Sequence, residues 1–423
     1  MSFQMKHLIF PVRKACKLII EPVFPVCVNP AECYEIQIVP FSGIRKYGLR
    51  NSGYIPTAED ETFFSTRQPL TPEGNRLVLS VTFPQEDCYT CRILVGGTEV
   101  CAKEIYALEA DLFTKNPYKG DHHMHTRFSD GKDSPMYMAA AACRLGYDYC
   151  VITDHMQYDP SLMARDFYAP TGIDFLVIPG EEVHSPDNPV HIINLGGDKS
   201  VNDWWRDHED AYRAAVEKEM QAMPEPMTDR DRYAAAASQV MFDKIREANG
   251  LAVLCHPHWI IGNGFNEHED VTEYLADHRR YDVLELIAGG AYEVGTQMQL
   301  SYYKTRPNMP ILGNSDAHCC FGGALEPGNS TIVFADCLCG DAIKDAIRSS
   351  LTVACDQNRF YGDYRLVKYA YFLQRNYLPG HKQKRMQLSN WMIRRAAGNT
   401  TDPLPAALRP SEDFALLRYQ GET

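Results

Sequence analysis

No run of about 18 consecutive apolar residues occurs in the 423-residue chain, so no membrane-spanning helix is expected. A long basic run is also missing. Lys and Arg total 42 against 55 Asp and Glu, for a net charge of −13. Nucleic-acid binders need a positive face to meet phosphates, so no nucleic-acid partner is expected. A small anionic substrate stays open, because bound divalent cations would dominate the local field. The chain has no G-x-S-x-G elbow, no P-loop and no dinucleotide fingerprint. It also lacks internal repeats and low-complexity segments. The opening MSFQMKHLIFPVRK holds only a short apolar run before charge and does not read as a secretory signal.

The 14 cysteines are scattered, and a chain this long does not depend on a disulfide framework. A reduced, cytoplasmic protein with mostly buried free thiols is expected. Cys88-Tyr89-Thr90-Cys91 has zinc-knuckle spacing but no second pair at a usable distance, and reads as two free thiols. Cys319-Cys320 and Cys337-x-Cys339 follow no ligand pattern.

Hydrophobic residues make up 45% and charged residues 23%, which suits a globular protein of two domains, or three at most. Residues 1–112 read as β-rich. KLIIEPVF, YEIQIVPF, RLVLSVTF and CRILVGG are short strands separated by turn formers, and they predict a small β-sandwich. YALEADLFTKNPYKG reads as a linker. From about 118, strand candidates alternate with helical stretches such as SPMYMAAAACRLG and AASQVMFDKIREANG. That alternation predicts βα units and a parallel sheet, closed or open, in a domain over 113–380. An inserted helical segment at about 198–240 carries Trp204 and Trp205. It reads either as a lid or as a peripheral helix pair packing its tryptophans inward. Residues 381–423 read as a C-terminal extension without chemistry.

Nearly every strand candidate in the second domain ends in His, Asp or Glu. Buried charges must be paired or metal-bound, so this is unusual for core strands. In Asp121-His122-His123-Met124-His125, alternation turns His123 and His125 to one side, as two ligands of one metal require, and Asp121 with them. Asp121 could accept a hydrogen bond from a ligand imidazole, and His122 is expected to face outward. Asp130 follows in a loop. Thr153-Asp154-His155 offers His155 as a ligand and Asp154 as its support. Glu181 and Glu182 compete for a metal-bridging carboxylate, with His184 next to them. His191, His256-Pro257-His258 and Asp316-Ala317-His318 complete the set. Any one histidine is more often a satisfied core residue than a ligand. Three separate H-x-H or D-x-H pairs closing apolar strands are hard to obtain as independent accidents.

The stretches GDHHMHTRFSDG, GYDYCVITDH, VIPGEEV, VHIINLGG, VLCHPH and GNSDAH, spanning about 119 to 318, resemble the polymerase and histidinol phosphatase (PHP) superfamily. The resemblance implies an α/β fold, a distorted seven-stranded (β/α)7 barrel holding two or three divalent metal ions, preceded here by the β-sandwich. Position by position it implies His123, His125, Asp130, His155, Glu182, His191, His256, Asp316 and His318 as ligands. The GEEV and H-x-x-N elements most resemble the carbaryl-esterase-like (CehA/McbA) branch.

Imidazole and carboxylate donors without thiolate suit zinc, manganese or iron. The expected activity is that of a metal-dependent hydrolase, a phosphoesterase whose metal-bridging hydroxide attacks a small phosphoester. A carboxylester, carbamate or amide hydrolase is the alternative, and a non-catalytic metal-binding module is the third reading. His258 or His184 could protonate a leaving group, and Arg127 could meet an anionic substrate. A small-molecule substrate is the expected partner, with no membrane, and a homo-oligomer is left open.

Overall fold

The computed structural model describes residues 77–409 except 224–226, 263, 279, 290–292, 307–308, 322–327 and 357–358. Before residue 77 it describes 4–5, 12–20, 22–23, 33–40 and 64–69. The chain divides into two compact units. The first comprises residues 1–115, 371–377 and 411–423, and the second 116–370 and 378–410. The expected tail beyond Arg409 lies outside the described residues, as do parts of KLIIEPVF and YEIQIVPF. Among the described residues, no helix is long and apolar enough to cross a membrane.

The strands of the first unit are β1 (Gln4–Met5), β2 (Val12–Arg13), β3 (Ala15–Ile20), β4 (Pro22–Val23), β5 (Cys33–Pro40), β6 (Phe64–Pro69), β7 (Leu77–Thr82), β8 (Asp87–Val95) and β9 (Thr98–Leu108). One sheet runs β2-β9-β8-β5-β6, antiparallel apart from the β2–β9 pair. A separate antiparallel pair joins β3 to β7. Strand β7 alternates buried Leu77, Leu79 and Val81 with more exposed neighbours, the period-two pattern of a half-buried strand. Those three residues join Tyr34, Ile36 and Ile38 of β5 and Cys91 and Ile93 of β8 in one apolar cluster. Cys88 and Cys91 both lie buried in β8. Burial pushes each thiol up to about 12, which keeps it protonated.

The strands of the second unit are β10 (Asn116–Asp121), β11 (Tyr149–Val151), β12 (Leu176–Ile178), β13 (Gly180–Val183), β14 (Ile192–Leu195), β15 (Leu251–Leu254), β16 (Ile260–Ile261), β17 (Gly264–Phe265), β18 (Val283–Ile287), β19 (Ile311–Gly313), β20 (Ser330–Ala335), β21 (Thr352–Asp356) and β22 (Arg359–Gly362). They form a six-stranded sheet, β12-β11-β10-β20-β21-β22, and a five-stranded sheet, β13-β14-β15-β18-β19. The β16–β17 hairpin stands apart from both. The sheets are mixed rather than parallel throughout. Strand β14 runs antiparallel to both neighbours and β20 antiparallel to β10, whereas β10–β11–β12 and β15–β18–β19 are parallel. The chain from β13 to β14 is too short for a helical crossover, which an all-parallel sheet requires. Two single bridges, Met124 to Ala317 and His155 to Glu182, link one sheet to the other.

Helices lie between many of these strands. Pro135–Arg144 begins on Ser134, whose hydroxyl accepts from the Tyr137 amide, and has proline in its first turn. Asp229–Glu247 begins on Thr228, which accepts from the Asp231 amide. Its alanine-rich face is buried in the largest apolar cluster. The segment that held the lid-or-packing question is helical at Val201–Asp207 and Glu209–Ala222. Trp204 and Trp205 pack partly buried against that same cluster, and the Trp205 indole donates to Asn202. This is the inward-packed reading. The basic stretch after 377 forms the helix Leu378–Ala396, with Leu388, Trp391 and Met392 in the core cluster that holds the helix Pro135–Arg144.

Candidate metal centre

The chemistry-bearing side chains sit just past the strands rather than on them. His123 and His125 follow β10, His155 follows β11, His256 follows β15, and Asp316 and His318 follow β19. Glu182 alone lies within a strand, β13, and His191 immediately precedes β14. Because β14 is reversed relative to its neighbours, its first residue lies beside the last residues of β13 and β15. That reversal brings His191 to the same end as the others.

Glu182 is the centre of the arrangement. Its fully buried carboxylate lies 3.2 Å from His123 Nε2, 3.3 Å from His125 Nε2 and 2.9 Å from His155 Nδ1. It lies 2.7 Å from His191 Nδ1, 3.5 Å from His184 Nε2 and 4.0 Å from His256 Nε2. Asp316 Oδ1 adds contacts of 3.1 Å to His125 and 3.3 Å to His123. Asp130 Oδ2 stands 3.2 Å from His318 Nε2 and 3.5 Å from His155 Nε2. All nine residues expected as ligands therefore converge, and so does His184. The spacings allow donor groups His123–Glu182–His256, His123–His125–Asp316, His125–Asp130–His155–His318 and His155–Glu182–His184.

Glu181 points to a different place. Its oxygens take the Asn194 amide at 3.1 Å, the Ser200 hydroxyl at 2.8 Å, the Asn202 amide at 2.8 Å and the Val201 amide at 2.5 Å. It anchors the start of the helix Val201–Asp207, while Glu182, one residue on, faces the histidines.

Local geometry explains how the loops reach the centre. A Cβ on Gly131 would sit 2.6 Å from the His125 carbonyl oxygen, so glycine lets the Asp130 loop fold back over His125. Asp154 holds that loop, accepting from the Thr126 amide at 2.7 Å, the Thr126 hydroxyl at 2.7 Å and the Ser129 hydroxyl at 2.6 Å. Asp121 Oδ1 ties two loops together by accepting the backbone amides of His123 and Ser315, each at 3.1 Å. His256 and Asp316 hold positive φ angles of 21° and 51°. Each such non-glycine conformation costs about 1–3 kcal/mol and persists where surroundings over-determine it.

The imidazole partner expected of Asp121 is instead Glu285, which the sequence reading missed. Glu285 Oε1 lies 2.9 Å from His123 Nδ1 and 2.8 Å from Asn314 Nδ2, and its Oε2 accepts the His256 amide at 2.9 Å. Its signal in the sequence was a lone carboxylate inside the buried run VLELI. His122 does turn away from His123, as strand alternation requires, but it does not reach solvent. Its buried ring sits between the Tyr149 hydroxyl at 2.8 Å and Asn314 Oδ1 at 3.0 Å, and burial pushes its pKa down to about 4.

His258 and Arg127 stand apart. His258 belongs to none of the donor groups and packs near Phe265 and Tyr302. Arg127 is exposed, with its guanidinium 5.8 Å from the Phe128 ring centroid.

The electrostatics favour a cation. Burial opposes charge on His123, yet Asp316, Glu285 and Glu182 outweigh it and raise its pKa well above the usual value. Burial alone would raise Glu182, but His191 and His123 lower it well below the carboxylate range. Asp316 is likewise held low, chiefly by His123 and His125 against its own burial. Several buried donor atoms make no well-aligned hydrogen bond: both His125 ring nitrogens, His191 Nδ1 and Glu182 Oε1, although His191 Nδ1 and Glu182 Oε1 lie only 2.7 Å apart and His125 Nε2 lies 3.1 Å from Asp316 Oδ1. Orphaned buried lone pairs on imidazole and carboxylate, facing one another, fit divalent metal ions. Without a cation, each would carry an uncompensated desolvation cost.

No family model matches the chain. Over 115 residues it is 36% identical to the DNA polymerase/3'-5' exonuclease PolX of Bacillus subtilis, covering 27% of this chain and 17% of PolX. Among solved structures, a two-domain protein from Bacteroides vulgatus, described as containing a predicted PHP-like metal-dependent phosphoesterase, is 19% identical. It aligns with a TM-score of 0.45 over 61% of this chain and 70% of its own. A putative metal-dependent phosphoesterase from Bifidobacterium adolescentis is 19% identical, with a TM-score of 0.35 over 48% of this chain and 88% of its own. An amidohydrolase from Chromobacterium violaceum is 17% identical, with a TM-score of 0.34 over 47% of this chain and 87% of its own. The chain spans about a sixth of the PolX length. Its residue motifs in their chain order, together with the PolX match, relate the chain to the polymerase and histidinol phosphatase superfamily.

Proposed function

We propose that the second unit is a metal-dependent hydrolase, with a phosphoester as its first substrate class. The observation that carries this is the buried Glu182 carboxylate, within 4.0 Å of six histidines. On this reading His123, His125, Asp130, His155, Glu182, His191, His256, Asp316 and His318 hold two or three divalent ions, and the strands around them form a distorted barrel. The bridges at Met124–Ala317 and His155–Glu182 support closure. The shared core of the two sheets in the first unit supports a β-sandwich there.

Bound ions of this kind lower the pKa of a water and take up charge that develops on the substrate. The chain's own residues divide that work. His123 and Glu182 are fully buried and set the floor of the site. Asp130 and His318 are 55% and 37% exposed at their side chains, so substrate enters from their side. His184 stands at the cluster, 2.9 Å from His155 Nδ1, and is placed to give a proton to a leaving group.

A second reading, acyl hydrolysis of the CehA/McbA kind, draws on one observation. Asn194 of the H-x-x-N element donates to Glu181 of GEEV, joining the two elements on which that likeness rests. Metal analysis of pure protein, followed by assay with p-nitrophenyl phosphate, bis(p-nitrophenyl) phosphate and p-nitrophenyl acetate under added Mn²⁺, Zn²⁺ or Fe²⁺, tests both readings. Phosphoester turnover abolished by His123→Ala is the expected result. Acyl cleavage alone would move the assignment to the second reading. Less than one ion per chain at every loading would end both.

A further inference from the structure

The turn between β20 and the helix Gly340–Arg348 carries Cys337 and Cys339, both exposed, with their sulfurs 3.1 Å apart. Chain geometry makes the pair. The Cys339 amide donates to the Cys337 carbonyl at 3.0 Å, a tight turn that swings the two side chains together. Cys339 is the N-cap of a nine-residue helix. The hydrogen bond between the two thiols, which either can donate, raises the Cys337 pKa.

Among the described residues, the neighbouring pairs Cys88/Cys91 and Cys319/Cys320 lack this combination. Cys88 and Cys91 are buried, and Cys320 is buried beside a part-exposed Cys319. The pair is also remote from the metal centre. Ala335, just before the turn, pairs with Asn116 at the start of β10, whereas His123 lies beyond the far end of that strand. At about 3.3 Å per residue the separation is roughly 20 Å.

We propose that Cys337 and Cys339 form a surface dithiol that undergoes reversible thiol–disulfide exchange with low-molecular-weight disulfides. The Cys339 thiolate attacks one sulfur of the small disulfide and releases its other half as a thiolate. The Cys337 thiolate then attacks Cys339 Sγ in the mixed disulfide and expels the second half. Two protein thiols become one disulfide, and the small disulfide, which takes the two electrons, becomes two thiols. A disulfide on an exposed turn belongs to the labile class.

The test is to incubate the intact protein with oxidised glutathione, quench in acid, alkylate with N-ethylmaleimide and digest before aspartate. Cleavage at Asp336 and Asp341 isolates residues 336–340. That peptide is expected to lose nearly all alkylation and to be lighter than its reduced form by two hydrogens. Dithiothreitol should restore labelling at both positions. Cys337→Ser removes the resolving thiol, so glutathione should accumulate on Cys339. Both cysteines remaining alkylatable, or wild-type protein holding a lasting glutathione adduct, would overturn the proposal.

Discussion

His123 Nδ1 lies 2.9 Å from Glu285 Oε1, with both side chains fully buried. An ionised carboxylate only accepts, so Nδ1 donates to Glu285, and Nε2, which faces Glu182 and Asp316, is the nitrogen that would give up its proton to a metal. Glu285 thus selects the tautomer that a metal ligand needs. Through the His256 amide and Asn314 it also fixes the loops after β15 and β19. Partners of this kind are worth about 10–100-fold in metal affinity or activity. Glu285→Ala should weaken metal binding by about that factor, read by equilibrium dialysis with metal analysis. Glu285→Gln keeps an acceptor for Nδ1 and should recover part of the loss. Equal affinity in Glu285→Ala and wild type would remove this role.

Among the described residues the ion-pair contacts of Glu182 are all to histidines, with no Lys or Arg, so metal removal should be felt as lost stability. A ligand at 100 times its Kd stabilises the folded state by about 2.7 kcal/mol. Chelation should therefore lower the melting temperature, and Mn²⁺ or Zn²⁺ should restore it. Glu182→Gln should melt at nearly one temperature with or without metal. A wild-type melting curve indifferent to chelator would speak against bound ions.

The strand ends were legible in the sequence because apolar runs closing in His, Asp or Glu break the rule for core strands. Reading His123, His125 and Asp316 needed only that conflict, whereas the choice of Glu182 over Glu181 rests on the family resemblance. Glu285 was not legible in the same way. It sits in mid-strand with apolar neighbours on both sides, and its partners His123, His256 and Asn314 come from other strand ends. Such long-range pairing leaves no local pattern. The reversal of β14 was also hidden, since a short apolar strand reads alike in either direction. The basic composition after 377 fits either a packing extension or a tail, and the helix Leu378–Ala396 packs. Its apolar residues are few, yet Trp391 and Met392 are buried.

Glu267 is buried, its carboxyl takes the Thr272 hydroxyl, and burial raises its pKa to about 8. Its unfolded value is near 4.3. Between those values the folded state binds the extra proton, so stability falls as pH rises through that window. Glu267→Gln mimics the neutral acid and removes the slope. The variant should match wild type at pH 4 and exceed it by a few kcal/mol at pH 8, measured by urea unfolding. An unchanged difference across that range would show that Glu267 does not titrate as its burial implies.

Asp148 shows the opposite sign. Burial raises its pKa, but His381 at 2.8 Å and the Arg385 guanidinium outweigh this and hold it far below the carboxylate range. The Lys119 amide adds a hydrogen bond at 2.8 Å. A carboxylate with a depressed folded pKa gives stability that is present above its unfolded value, near 3.9, and is lost as pH falls through the folded one. Arg385 also reaches the Asp174 carbonyl, so this knot fastens the helix Leu378–Ala396 to the loop before β12. Removing one partner of a buried pair typically costs 3–5 kcal/mol, because the other charge stays buried. Asp148→Asn should therefore destabilise the second unit by about that amount at pH 7. The deficit should shrink toward pH 2, where wild type begins to lose the same charge. Urea midpoints at both pH values decide this. A deficit that is constant with pH would assign the cost to lost packing rather than to the ion pair.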